Sequence, residues 1–232
     1  MSDNKSNEVK SFFDQTHIYL HKDFGVSVRA EIAWDLLVDK IEGKRVIDVG
    51  CGNGDVTLRY LDKVAQLDYL DISDKMLELV KSKVPDNMMS KVAFFNCDLE
   101  QLDVTKKYDI IVAYGLIMHV NSPFESLKKM SELLEPGGLL LTQYTNYKHP
   151  ITRFNKFLRR EGNYSVNNID KEIFEGLINK LGFKVLKSFS YSWMISGLGF
   201  LPASVLYKFH KWTYKSRWAG SLGIDDVYLL TK

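Results

Sequence analysis

Five short apolar runs alternate with segments of helical period, and this alternation constrains the fold of the chain more than any other feature. The runs are "VIDVG" (46–50), "LDYLD" (67–71), "VAFFN" (92–96), "DIIVAY" (109–114) and "GLLLTQY" (138–144). Runs this short and apolar read as strands of a parallel sheet buried on both faces. Between them, "DVTLRYLDKV" (55–64), "SDKMLELVKSKV" (73–84) and "SPFESLKKMSELLE" (122–135) have helical periodicity. Ser73 and Ser122-Pro123 are helix-start signals, and "PGG" (136–138) is a stop. The alternation predicts an α/β fold with a doubly wound, mostly parallel sheet.

Beyond residue 145 the pattern changes. "NIDKEIFEGLINKLGF" (168–183) is an amphipathic helix closed by Gly182. "FKVLKSFSYSW" (183–193) alternates like a strand, with Val185, Lys187, Phe189, Tyr191 and Trp193 on one side, and "DDVYLLTK" (225–232) is a last strand. These two are expected side by side at one sheet edge, one of them antiparallel. The first 45 residues are predicted helical, with Ile32, Leu36, Leu37 and Ile41 turned to the sheet or over its cleft. The expected organisation is a helical lid over 1–45 and a core over 46–232. Basic, aromatic-rich insertions fall at about 145–170 and 193–223 of that core.

A length of 232 residues, 45% hydrophobic and 26% charged, is that of an ordinary globular protein. A net charge of +2 argues against a polyanion binder, but the charge is uneven. Residues 145–219 hold 13 Lys and Arg against 4 acids, so a basic third sits on an acidic body and suits an anionic substrate or surface. Cys51 and Cys97 form neither a disulfide framework nor zinc-ligand spacing, and no metal is expected. The polar start "MSDNKSNEVK" has no apolar run behind it, so a cytoplasmic, reducing compartment is expected.

The loop "DVGCGNGD" (48–55) follows the first strand, where open α/β sheets bind ligands. Its spacing, Gly50-x-Gly52-x-Gly54, is not the dinucleotide fingerprint, and no Lys-Ser/Thr follows to make a phosphate loop. Asp55, at the mouth of the next helix, would repel a pyrophosphate. The loop therefore suits a nucleoside without phosphates. Asp71 ends the second strand, where a carboxylate can accept from both ribose hydroxyls, and Asp98 follows the third, where one can take the exocyclic amine of adenine.

Five segments over about 46–145 together resemble the motifs of the class I S-adenosylmethionine-dependent methyltransferases. They are "VIDVGCGNGD", "LDYLDIS", "FFNCDLEQL", "KYDIIVAYGLIMHV" and "LLEPGGLLLTQY". The resemblance implies a seven-stranded Rossmann-like sheet in the order 3-2-1-4-5-7-6 with the last strand antiparallel, and S-adenosylmethionine as cofactor. On it, Asp48, Gly50, Cys51 and Gly52 border the methionine moiety, and Asp71 holds the ribose. Ile72 and Met76 flank the adenosine, Asp98 faces adenine and Leu99 lies against its ring. Ala113, on the fourth strand, is a further cofactor-side candidate.

Methyl transfer from a sulfonium is an in-line displacement, so a base is needed only if the acceptor must lose a proton. His119, a few residues beyond the fourth strand, is the catalytic candidate, and a pKa near neutrality would let it deprotonate a hydroxyl. Tyr19, Tyr144, Tyr147 and His149 are candidates for the acceptor pocket. Residues 188–207 carry no charge and lead into "KFHKWTYKSRW". This stretch reads first as a substrate cap, with a membrane-surface contact through 193–218 or a homodimer face as alternatives. The expected reaction is methylation of a small molecule at oxygen, the acceptor being acidic, phosphorylated or lipid-linked. The alternatives are N-methylation, a nucleic-acid methyltransferase and a catalytically silent cofactor-binding subunit. "AYGLIMHV" stands where base-amine methylation would need Asn/Asp-Pro-Pro-aromatic, so no nucleic-acid partner is expected.

Overall fold

The computed structural model describes residues 2–15, 24–103, 105–158, 166–193 and 201–232. Seven strands form one sheet: β1 (Arg45–Val49), β2 (Gln66–Asp71), β3 (Phe94–Asn96), β4 (Tyr108–Tyr114), β5 (Leu134–Thr145), β6 (Lys184–Tyr191) and β7 (Asp225–Thr231). Their order is β3-β2-β1-β4-β5-β7-β6. The first five pair in parallel, and β7 runs antiparallel to both β5 and β6. The expected order and the antiparallel last strand are both present. Because β6 and β5 each oppose β7, β6 points the same way as the five parallel strands.

Alternate residues on the central strands feed two separate cores. Val46, Ile110, Val112 and Leu141 join one core, whereas Ile47, Ile111, Ala113 and Leu140 join the other. The first core is closed by α2 (Phe24–Leu37) and α3 (Asp74–Lys83), the second by α4 (Pro123–Leu133) and α6 (Lys171–Lys180). Ile32, Leu37 and Ile41 are fully buried, as their spacing predicts, each contributing about 1.5–3 kcal/mol. Three helix starts are fixed by their own side chains. Ser73 accepts from the Met76 amide, Ser122 from Glu125 and Asp170 from Ile173. The remaining helices are α1 (Ser2–Asp14), α5 (Pro150–Leu158), α7 (Ala203–Lys215) and α8 (Arg217–Gly220).

Two expected elements differ. Residues 55–64 are not a regular helix but turns around a single 3-10 turn, Leu58–Tyr60. Their amides mix i−3 and i−4 acceptors, and the Thr57 hydroxyl is drawn away to Asp48 (2.6 Å). On β6 the pairing slips between Val185 and Lys187, leaving Val185 and Leu186 exposed, while Phe189 and Tyr191 turn inward. The strand therefore lacks the single buried face its alternation predicts.

Candidate active site

The carboxyl ends of the parallel strands meet at the glycine loop. The Gly50 and Cys51 amides donate to Leu70 O at 2.8 and 3.1 Å, tying the loop to the end of β2. Gly52 adopts φ 53, and a side chain there would project into open space beside the cavity, so the absent Cβ leaves a cradle. Its amide donates to Asp71 Oδ2 at 2.8 Å, and the Ser73 amide donates to Oδ1 at 2.9 Å. Burial raises the Asp71 pKa, opposed by these two backbone bonds. Asp48, deeper in the fold, is pushed up to about 7 by burial and, further, by the charge of Asp71, against the Thr57 hydrogen bond. Of the two acids only Asp71 borders the cavity, where its oxygens can accept further hydrogen bonds.

A cavity of about 310 Å³ opens at this edge. Gly50, Gly52, Asp71, Ile72, Asp98 and Leu99 line one part, and His119 and Tyr147 another. Asp48, Cys51, Met76 and Ala113 do not line it; they are buried in the layer behind. Burial raises the Cys51 pKa well above its ordinary value, so the thiol stays protonated. Tyr144 is fully buried, packed against Phe174 and Tyr228 in the second core, because its position on β5 faces that core. His149 stands outside the cavity lining, its Nδ1 accepting from the Ile151 amide at the start of α5. Tyr19 lies outside the described residues.

The first helix crosses the cavity mouth. Ser6, Val9 and Phe13 of α1 line the cavity. Ser6 donates to Asp98 Oδ2 (2.9 Å), Lys10 to Ile72 O (3.1 Å), and Ser73 to Asp14 (2.6 Å). Phe13 packs edge-on against His119 at 5.6 Å. His119 sits a turn beyond β4, its amide on Leu116 O (2.8 Å). Burial, then the charges of Lys5 and Arg29, lower its pKa to about 4, not to the near-neutral value expected. The imidazole is therefore neutral at pH 7, the form that accepts a proton.

Arg29 of α2 and Tyr114 of β4 are cavity residues that sequence reasoning missed. Arg29 hydrogen-bonds with the Tyr191 hydroxyl and favours the charged form of buried Asp225. The Tyr114 hydroxyl is buried with no hydrogen-bond partner among the described residues, leaving a polar group for a ligand to satisfy. The lone basic residue of α2 was the available signal for the first; nothing marked Tyr114 apart from its neighbours.

Glycine cradle, paired acids and seven-stranded sheet define a Rossmann-like, nucleoside-binding methyltransferase fold. Residues 46–138 match the family described as "Methyltransferase domain", and this segment is that of a class I S-adenosylmethionine-dependent methyltransferase. It is 27% identical over 131 residues to the tRNA U34 carboxymethyltransferase of Idiomarina loihiensis, covering 52% of this chain and 41% of that protein. It is 32% identical over 108 residues to the malonyl-[acyl-carrier protein] O-methyltransferase of Halalkalibacterium halodurans, covering 44% and 39%. The chain thus spans about two fifths of the length of these relatives. The solved magnesium protoporphyrin IX methyltransferase of Synechocystis PCC 6803, with bound S-adenosylhomocysteine, shares the fold at 15% identity. Its TM-score is 0.69 over 98% of this chain and 99% of that one. The co-substrate of this family is S-adenosylmethionine, and the donor set here fits it: an open cradle, a buried carboxylate and a second acid one strand further along.

Proposed function

We propose that this chain methylates a small molecule at oxygen, and that the acceptor carries negative charge, as an acidic, phosphorylated or lipid-linked metabolite. The observation that carries the reading is one cavity lined at once by Asp71, Asp98, His119 and Arg29. Asp71 accepts from the ribose hydroxyls, Asp98 takes the adenine amine, and Leu99 lies against the ring. When bound, S-adenosylmethionine supplies an electrophilic methyl group. Helix α1 closes the mouth and excludes water, while Tyr147 and His119 orient the acceptor.

His119 accepts the proton that the acceptor hydroxyl loses once a bound anion offsets Lys5 and Arg29 and raises its depressed basicity. Protonation would put a third positive charge beside Lys5 and Arg29, which already depress its pKa. An anionic acceptor offsets that repulsion, whereas a cationic amine adds to it. The same electrostatics favour an anionic acceptor over a neutral or cationic one.

The test is transfer of labelled methyl groups to a panel of hydroxyl acceptors, with and without carboxyl or phosphate groups, beside matched amines. Anionic hydroxyl compounds are expected to react. His119→Ala should then lower turnover on the order of tenfold or more while leaving S-adenosylhomocysteine affinity almost unchanged. Methylation of amines alone, or loss of cofactor affinity in step with activity, contradicts the reading.

A further inference from the structure

Four of the eight exposed large apolar side chains among the described residues, Val205, Trp212, Trp218 and Leu222, fall on or just after α7 and α8, while Val185 and Leu186 lie at the far end of β6. Trp212 is 48% exposed and Trp218 69%. Helix α7 has two distinct sides. Its inner side buries Leu206, His210 and Thr213. Two ion pairs to α2, Lys211–Glu31 at 2.7 Å and Lys215–Asp35 at 2.5 Å, hold it in place. Its outer side aligns Val205, Lys208 and Trp212 in one stripe.

This outer side is a rigid platform. Trp193 meets Trp212 and Trp218 edge-on at 6.3 and 6.4 Å, and Phe209 lies beside Trp212 at 6.0 Å. The Trp193 indole N–H donates to Ala219 O at 2.8 Å, which fixes the centre of the group. The acids nearest it, Glu31 and Asp35 of α2, are taken up by Lys211 and Lys215. Between Glu175 and Asp225 the chain holds seven Lys and Arg and no acid, and Lys208, one turn from Trp212 on α7, is exposed.

We propose that this face docks on the surface of an anionic lipid bilayer, with Trp212 and Trp218 at headgroup depth and the lysines against lipid charge. Indole rings prefer that layer, being apolar with one polar edge. Basic residues beside tryptophan and aliphatic side chains are the composition of an element lying in the interface. No helix among the described residues is long and apolar enough to cross a membrane, so the contact is a surface one. A second copy of the chain fits less well, since a two-fold contact would set this basic face against itself. RNA would leave the exposed Val205 and Leu222 without a use.

The location links the face to the cavity. Trp193 lies two residues past Tyr191, at the end of β6 that shares its edge with the glycine loop. Tyr191 bonds Arg29 of the cavity wall. A docked molecule therefore turns its cavity edge to the bilayer, where a lipid-borne acceptor resides. That consequence rests on the proposed function; the docking itself does not.

The test is flotation of the full chain with vesicles of phosphatidylcholine alone or mixed equally with phosphatidylglycerol. The mixed vesicles are expected to carry on the order of tenfold more protein, and Trp212→Ala/Trp218→Ala to lose that excess. Lys208→Glu should weaken it by about threefold. Unchanged S-adenosylhomocysteine titration of the variants shows that loss is not unfolding. Equal flotation with both vesicle types, no flotation, or a double variant that floats like the parent overturns the proposal. So does retention on single-stranded RNA, or a dimer in light scattering, that the double variant abolishes. A parent chain that floats yet binds no S-adenosylhomocysteine leaves the docking intact and removes the cavity reading instead.

Discussion

Asp48 and His119 are both neutral in the folded protein near or below neutrality, and burial is the leading cause for each. The consequences have opposite signs. Asp48 rises to about 7 from an ordinary value near 3.9, so the folded state holds its proton between those limits and the unfolded state does not. Its contribution to stability is full below about pH 4 and is lost as pH rises through 7. Relative to Asp48→Asn, the parent should lose stability over that window, by ~4 kcal/mol at most, in urea denaturation at a series of pH values. A difference that stays flat with pH would contradict it. His119 is lowered to about 4, so the acid limb of kcat/KM, which reports the free enzyme, should lie near pH 4 and vanish in His119→Ala. A limb near 6.5 would show the imidazole to be solvated. Gly54 is a third residue with a sharp expectation. At φ 75, with Val80 methyls 3.0 Å from where its Cβ would stand, Gly54→Ala should cost about 1–3 kcal/mol.

Elements with local punctuation were legible in the chain. The starts of α3 and α4 follow from Ser73 and Ser122-Pro123, and the ends of β1 and β2 from the glycines and Asp71. Residues 55–64 were not, because their periodicity is helical while Thr57 is recruited by Asp48 from another element. The exposed half of β6 was hidden for a similar reason: a register slip at Leu186 depends on β7, not on the local pattern. Ser73 serves two elements at once, capping α3 and donating to Asp14 of α1. Ser73→Ala should therefore cost about 1 kcal/mol. It should also speed amide exchange in α1 more than in α4, whereas equal changes would separate the lid from the cap. In the parent, S-adenosylhomocysteine should slow exchange in α1, since Ser6, Val9 and Phe13 border the cavity.

At the scale of the molecule, the cavity joins the ends of β1 to β5 with α1 and α2, elements far apart in the chain. The proposed cofactor side of the cavity was readable because Gly50, Gly52, Asp71 and Asp98 each mark a strand end, a position that alternation alone predicts. Arg29 was not, since only the docking of α2 on the sheet brings it to the cavity, and Tyr114 also ends a strand but has no residue-type signal of its own. Tyr144 shows the converse: its place at the end of β5 suggested the pocket, but the alternation of β5 turns it into the opposite core. Asp71 and the glycine loop are proposed to hold S-adenosylmethionine in this cavity. The most direct measurement is calorimetric titration of the parent and of Asp71→Ala with S-adenosylmethionine and S-adenosylhomocysteine. The account predicts one site of roughly micromolar affinity for both ligands. It also predicts a loss on the order of a hundredfold in the variant, whose buried hydrogen-bond acceptor is gone. Failure of the parent to bind either ligand, or a variant that binds like the parent, would contradict it.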